Sequence, residues 1–157
     1  MKNILLFTLT LLIFSCNGNA QKNQKSAYKV SKTDAEWKQQ LTPQEYQVLR
    51  KSGTEPAFSS PLNKNYEKGT YVCKACNTPL FKSIHKFDSG TGWPSFDQEI
   101  KGNVAYSKDS HAFYGTEEHC ATCGGHLGHV FNDGPKNTTG KRHCINGVAL
   151  KFIPDTK

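Results

Sequence analysis

Two cysteine pairs of identical spacing, Cys73-Lys74-Ala75-Cys76 and Cys120-Ala121-Thr122-Cys123, constrain this chain more than any other feature. Two residues between thiolates let one tight turn aim both sulfurs at one ion, and two such turns complete a tetrahedron of the kind zinc takes in structural sites. Asn77, Gly124 and Gly125 follow the pairs, where such turns need positive φ. The 43 residues between Cys76 and Cys120 are more than a minimal zinc ribbon uses. The ion would therefore staple two distant segments of one domain and leave no open position for a substrate. The same spacing also serves a disulfide in an oxidising compartment or a dithiol redox site. A redox site needs only one pair, whereas matched pairs suit a metal. The expected ligands of one structural Zn2+ are Cys73, Cys76, Cys120 and Cys123.

The metal is not needed merely to make a core. A chain of 157 residues with 36% hydrophobic and 11% aromatic content can bury roughly two-thirds of its unfolded surface. That composition is too apolar for disorder and too polar for a polytopic membrane protein. The formal charge of +7 is spread out, with no long basic run and no interleaved stacking platform, which argues against nucleic-acid binding.

Residues 1–16 read as a secretory signal: Lys2, then an apolar stretch from Ile4 to Phe14, too short to span a bilayer. Ile13-Phe14-Ser15-Cys16 is similar to a bacterial lipoprotein box, which would make Cys16 a lipidated first residue and a membrane anchor. Gly18-Asn19-Ala20 offers a competing cleavage point. Residues 17–32 read as a polar tether, and 33–155 as the folded domain. An exported protein of a bacterial envelope is the expectation, either periplasmic or membrane-anchored.

Within the domain, Thr33-Asp34-Ala35-Glu36 and Thr42-Pro43-Gln44-Glu45 are capping boxes opening two short helices, the second stopping at Gly53. Glu55-Pro56 breaks any continuation. Strands are expected at Gly69 to Val72, Val104 to Tyr106, Ala112 to Tyr114 and Val148 to Ile153. The fold class is mainly β: a small antiparallel β-sheet domain with short amino-terminal helices and a structural zinc site.

With Cys16 and the four ligands set aside, Cys144 stands alone, in Arg142-His143-Cys144-Ile145-Asn146. Arg142 and His143 would favour its thiolate; a buried, inert thiol is the plainer alternative. His126 and His129 lie three apart among glycines in Gly124-Gly125-His126-Leu127-Gly128-His129-Val130-Phe131. On a strand they would face opposite ways, unless the glycines bend both toward one pocket. Imidazole is a natural proton donor near neutral pH. In Gly90-Thr91-Gly92-Trp93-Pro94-Ser95-Phe96, glycines flank a tryptophan suited to an apolar, polarizable group such as a methyl on sulfur, unless it is simply a core residue.

Taken together, the segments CKAC, GTGWPSF, CATCGGHLGHVF and RHCIN resemble the methionine sulfoxide reductase B family, from about Asp34 to Pro154. The resemblance implies that Cys144 is the nucleophile and that His126 and His129 are its paired histidines, His129 donating a proton to the sulfoxide oxygen. It implies a catalytic part for Asn146, and substrate contacts for Trp93, Phe131 and Arg142. It assigns the four paired cysteines to zinc. It implies reduction of the R epimer of methionine sulfoxide through a Cys144 sulfenic acid, with a thioredoxin-like reductant as partner, in a monomer. Many relatives carry cysteine, the resolving thiol, where this chain has Thr91. Gly147 stands where serine is frequent. The competing readings are a zinc-binding interaction module without enzymatic activity and a periplasmic thiol–disulfide oxidoreductase.

Overall fold

The computed structural model describes residues 28–107 and 115–156. The signal segment, Cys16, most of the tether and the strand expected at Ala112 to Tyr114 lie outside the described residues.

Both capping boxes form. Thr33 and Thr42 accept from the amides of Glu36 and Glu45, and each glutamate reaches back to the cap amide, opening helices α1 (Asp34–Gln40) and α2 (Pro43–Lys51). Helix α1 buries Trp37, and α2 buries Tyr46, Val48 and Leu49. The expected stop is displaced by one residue. Ser52 takes the left-handed conformation at φ 52°, while the Gly53 amide donates to the Gln47 carbonyl.

Among the described residues nine strands follow: β1 (Gly69–Cys73), β2 (Pro79–Lys82), β3 (Lys86–Phe87), β4 (Ser95–Phe96), β5 (Val104–Tyr106), β6 (Thr116–Cys120), β7 (His126–Phe131), β8 (Arg142–Ile145) and β9 (Leu150–Pro154). They make two antiparallel sheets, one ordered β2-β1-β9 and the other β3-β4-β8-β7-β6-β5. This confirms the mainly β class with two short amino-terminal helices. The expected strand at Val148 begins two residues late, because Gly147–Ala149 forms a 3-10 turn. At that turn the chain leaves the six-stranded sheet and enters the three-stranded one.

The core lies between the sheets. Tyr71 and Phe81 come from one sheet and Phe96, Leu127 and Ile145 from the other, all fully buried. Phe81 stacks on Phe96 at 4.4 Å between centroids, and Tyr71 meets Phe96 edge-on at 4.9 Å. Burying each such ring stabilises the fold by about 1.5–3 kcal/mol. The chief consequence for the site is that β8, carrying Cys144, sits in the interior of its sheet with paired neighbours on both sides.

Candidate active site and metal centre

The two cysteine pairs fold into the same turn twice. In the first, the Cys73 amide donates to the Thr78 carbonyl and the Asn77 amide to the Cys73 carbonyl; in the second, Cys120 donates to Gly125 and Gly124 to Cys120, all at 2.8 Å. Asn77 and Gly124 hold the left-handed positions, at φ 58° and 68°. All four sulfurs lie within 4.8 Å of one another. Zinc–sulfur bonds of about 2.3 Å in a tetrahedron place sulfurs about 3.8 Å apart. The observed Cys73–Cys123 and Cys76–Cys120 separations, 3.8 and 3.5 Å, fit that geometry. No pair is a disulfide, since all five described cysteines are free. Cys73 ends β1 and Cys120 ends β6, so a metal here staples one sheet to the other and is structural.

The second cluster is a row across four strands. Ser95 pairs with Cys144, Cys144 with His129, and His129 with Glu117, so these side chains share one sheet face. His126 joins them through a bulge. On β6 the register advances one residue, from His119 to Glu118, while β7 advances two, from His126 to Gly128. The extra residue, Leu127, turns into the core, and His126 and His129 come to the same face with rings 5.6 Å apart. The bend that puts both histidines in one place is thus this bulge. Gly128 serves another need: a Cβ there would lie 2.0 Å from the Cys144 carbonyl oxygen.

A cavity of about 250 Å3 opens over this row, lined by Thr54, Trp93, Gly128, His129, Phe131, Cys144 and Asn146. The Thr91 hydroxyl lies 3.8 Å from the Cys144 sulfur. Burial pushes the Cys144 thiol above its ordinary range, against the pull of Thr91 and Arg142. Burial thus works against the stabilisation of the thiolate that Arg142 provides. Burial, helped by His126, pushes His129 below the usual histidine range. Glu117 is raised by burial, but hydrogen bonds from His126 and Ser107 outweigh this and hold its carboxyl low. Glu117 accepts from His126 Nδ1 at 2.7 Å, which fixes that ring's tautomer. His126 is buried, its Nε2 taking no hydrogen bond among the described residues, and it stands behind His129.

The other expected residues fall out as follows. Arg142 forks onto Asp133 at 2.8 and 2.9 Å and covers the ring of Phe131, which lines the cavity, at 4.2 Å. Asn146 lines the cavity, but its amide is engaged with backbone: Nδ2 donates to Leu127 O at 3.0 Å, and Oδ1 accepts from Glu55 N at 2.9 Å. His143 does not support the thiolate. It faces the opposite side of the sheet, buried against Glu118 at 2.6 Å and Glu99 at 3.3 Å, because neighbours on a strand alternate. Glu117 and Glu55 were not singled out from the sequence. The alternation of β6 would have paired Glu117 with the histidine face; Glu55 reads only as a breaker before Pro56.

Fold and site together define a small antiparallel β protein with a four-cysteine cluster joining its two sheets and, in the larger sheet, a single thiol paired with an imidazole beside a tryptophan-lined cavity. Residues 41–154 match the family model described as the SelR domain. A peptide methionine sulfoxide reductase MsrB of Leptospira interrogans is 57% identical over 127 residues, spanning 80% of this chain and 96% of that one. The Agrobacterium fabrum protein of the same name is 53% identical, spanning 80% and 94%. That of Methanosarcina barkeri is 51% identical, spanning 78% and 87%. The chain belongs to the SelR-domain family of peptide methionine sulfoxide reductases.

Proposed function

We propose that this protein reduces the R epimer of methionine sulfoxide to methionine through Cys144. The observation that carries the reading is the pairing of Cys144 with His129 beneath a cavity walled by Trp93. The cavity holds one side chain, and the indole and Phe131 supply apolar surface for a thioether methyl. The Cys144 sulfur attacks the sulfoxide sulfur while the sulfoxide oxygen takes a proton by way of His129. Burial pushes the thiol up and the imidazole down, which favours the pair with the proton on sulfur. In the resulting adduct the hydroxyl passes from the substrate sulfur to the Cys144 sulfur as the new S–S bond breaks, so methionine leaves and Cys144 is left as a sulfenic acid. Cys73, Cys76, Cys120 and Cys123 hold zinc, which supports the fold and takes no part in this chemistry.

The sulfenic acid is recycled by an external thioredoxin-like thiol. That thiol attacks the Cys144 sulfur, releases water and forms a mixed disulfide, which a second thiol of the donor reduces. Thr91 stands 3.8 Å from the Cys144 sulfur, where many relatives carry a resolving cysteine, and its hydroxyl cannot form a disulfide. The protein acts as a monomer exported to the bacterial envelope, with lipidation at Cys16 as the anchor.

Assay of the purified domain with R and S sulfoxides and dithiothreitol tests the reading. Turnover of the R form alone is expected, with none in Cys144→Ser, which keeps its zinc. Undiminished activity in that variant would overturn it. One equivalent of substrate without reductant should leave one added oxygen on Cys144, trapped by dimedone. A Cys144–Cys disulfide at that point would refute external recycling. Lipid mass on the amino-terminal peptide tests the anchor.

A further inference from the structure

Glu55 belongs to no strand or helix, yet it is only 4% exposed and bonds to both sides of the cavity. Its carboxylate accepts from two consecutive amides of the turn that follows the catalytic strand: Oε1 from Gly147 at 2.5 Å and Oε2 from Val148 at 2.9 Å. Its own amide donates to Asn146 Oδ1 at 2.9 Å. Its carbonyl accepts from the Trp93 indole N–H at 3.1 Å. One residue from the loop after α2 thus joins the tryptophan wall to the segment that continues β8 from Cys144. The ladder continues as far as the Ile145 amide on the Pro94 carbonyl, at 3.0 Å, and the Asn146 amide on the Leu127 carbonyl, at 2.9 Å, but it holds neither the Trp93 ring nor the Gly147 and Val148 amides.

We infer that Glu55 is a positioning residue that sets the gap between Trp93 and the Cys144–Asn146 segment, and so fixes the width of the substrate cavity. It touches no reacting atom and acts through Trp93 and Asn146. The ionised side chain is what the two amides need, since a carboxylate offers an acceptor to each. Burial raises its pKa, with the Gly147 and Val148 amides pulling the other way. A carboxylate kept where its charge is costly, spanning a turn that water would otherwise solvate, is expected where geometry must be held tightly. Gly147 and Val148 open the 3-10 turn, where amides have no partner within the turn, and Glu55 supplies the acceptors they need.

The inference rests on the reading of Trp93 as the substrate wall, so the experiment includes that residue. In Glu55→Gln the shape is kept, but an NH2 group faces one of the two amides. Its KM for a methionine-R-sulfoxide peptide should rise about tenfold with kcat within about threefold, the size expected for losing one charged hydrogen bond. Acrylamide quenching of tryptophan fluorescence should increase. Trp37, only 2% exposed, contributes little to that signal, so it reports Trp93. Zinc content and the rate of Cys144 alkylation should be unchanged. Glu55→Asp, which keeps the charge one methylene short, should recover part of the KM. In the wild-type domain, the Gly147 and Val148 amides should exchange with solvent at rates typical of ladder amides, a measurement that needs no variant to fold. Unchanged KM and quenching in Glu55→Gln, or loop-like exchange at those two amides, would overturn the inference. If Trp93→Ala leaves KM unaltered, the substrate-wall reading fails, whatever Glu55 does. A large KM effect in Trp93→Ala with none in Glu55→Gln sinks the positioning role alone.

Discussion

His129 stands directly opposite Cys144 in the β7–β8 ladder, so the imidazole and the thiol to which we assign proton transfer and attack are held by paired backbone. Opposed residues on antiparallel strands keep their Cβ atoms about 4.5–5.5 Å apart. Gly128, beside His129, lets the two strands approach this closely. A side chain at that position would strike the Cys144 carbonyl, so the glycine is a condition of the pairing.

The first prediction concerns that pair. His129→Asn should lower kcat by about 10²–10³-fold, the range for removing a positioned general acid. Glu117→Gln should cost less, about tenfold, because it frees the His126 tautomer without removing either ring. Glu117 also leaves a signature in stability. Its carboxyl is held low in the folded state, so it binds fewer protons there than in the unfolded chain, and the stability it adds is lost as pH falls through the carboxylate range. Acid unfolding followed by circular dichroism should therefore be shallower in Glu117→Gln. The side chain is 33% exposed, so the difference is small.

Cys144 should alkylate slowly at neutral pH. Burial raises its pKa, so iodoacetamide labelling of the free domain should accelerate only above the ordinary thiol range. Thr91→Val removes a hydrogen bond that favours the thiolate, and should move the labelling profile further toward alkaline pH. A profile shifted toward acid by that substitution would contradict the geometry.

Gly147 has a steric reason the sequence does not state. A Cβ there would lie 2.0 Å from Ser60 Oγ and 2.4 Å from Ser60 Cβ. Gly147→Ser alone should destabilise the domain by about 1–3 kcal/mol, as overpacking does. Ser60→Gly should relieve most of that loss, less a few tenths for the cap that Ser60 gives the Leu62 amide. Urea unfolding of the four members of the cycle measures the coupling.

The metal should matter to folding and not to the reaction. Cys76→Ser should lose zinc and cooperative unfolding together, since structural zinc supplies on the order of 10 kcal/mol. Metal analysis and calorimetry check this. A Cys76→Ser protein that stayed folded would mean the two sheets hold together without the staple.

The paired cysteines, the capping boxes and the lone Cys144 were legible because each depends on spacing a few residues long. A cap, a two-residue turn between thiolates, and an amphipathic helix face are local physics, and they form where their patterns lie. The tertiary structure decided what depends on register. The bulge at Leu127 sets His126 beside His129, alternation along β8 turns His143 away from the thiol, and burial raises the Cys144 thiol against the pull of Arg142. Strand pairing joins residues tens of positions apart, so no local pattern reveals which side chains meet across a ladder. Glu55 shows this most plainly: in the chain it is the residue before a proline, and only the folded backbone brings Gly147, Val148, Asn146 and Trp93 within its reach.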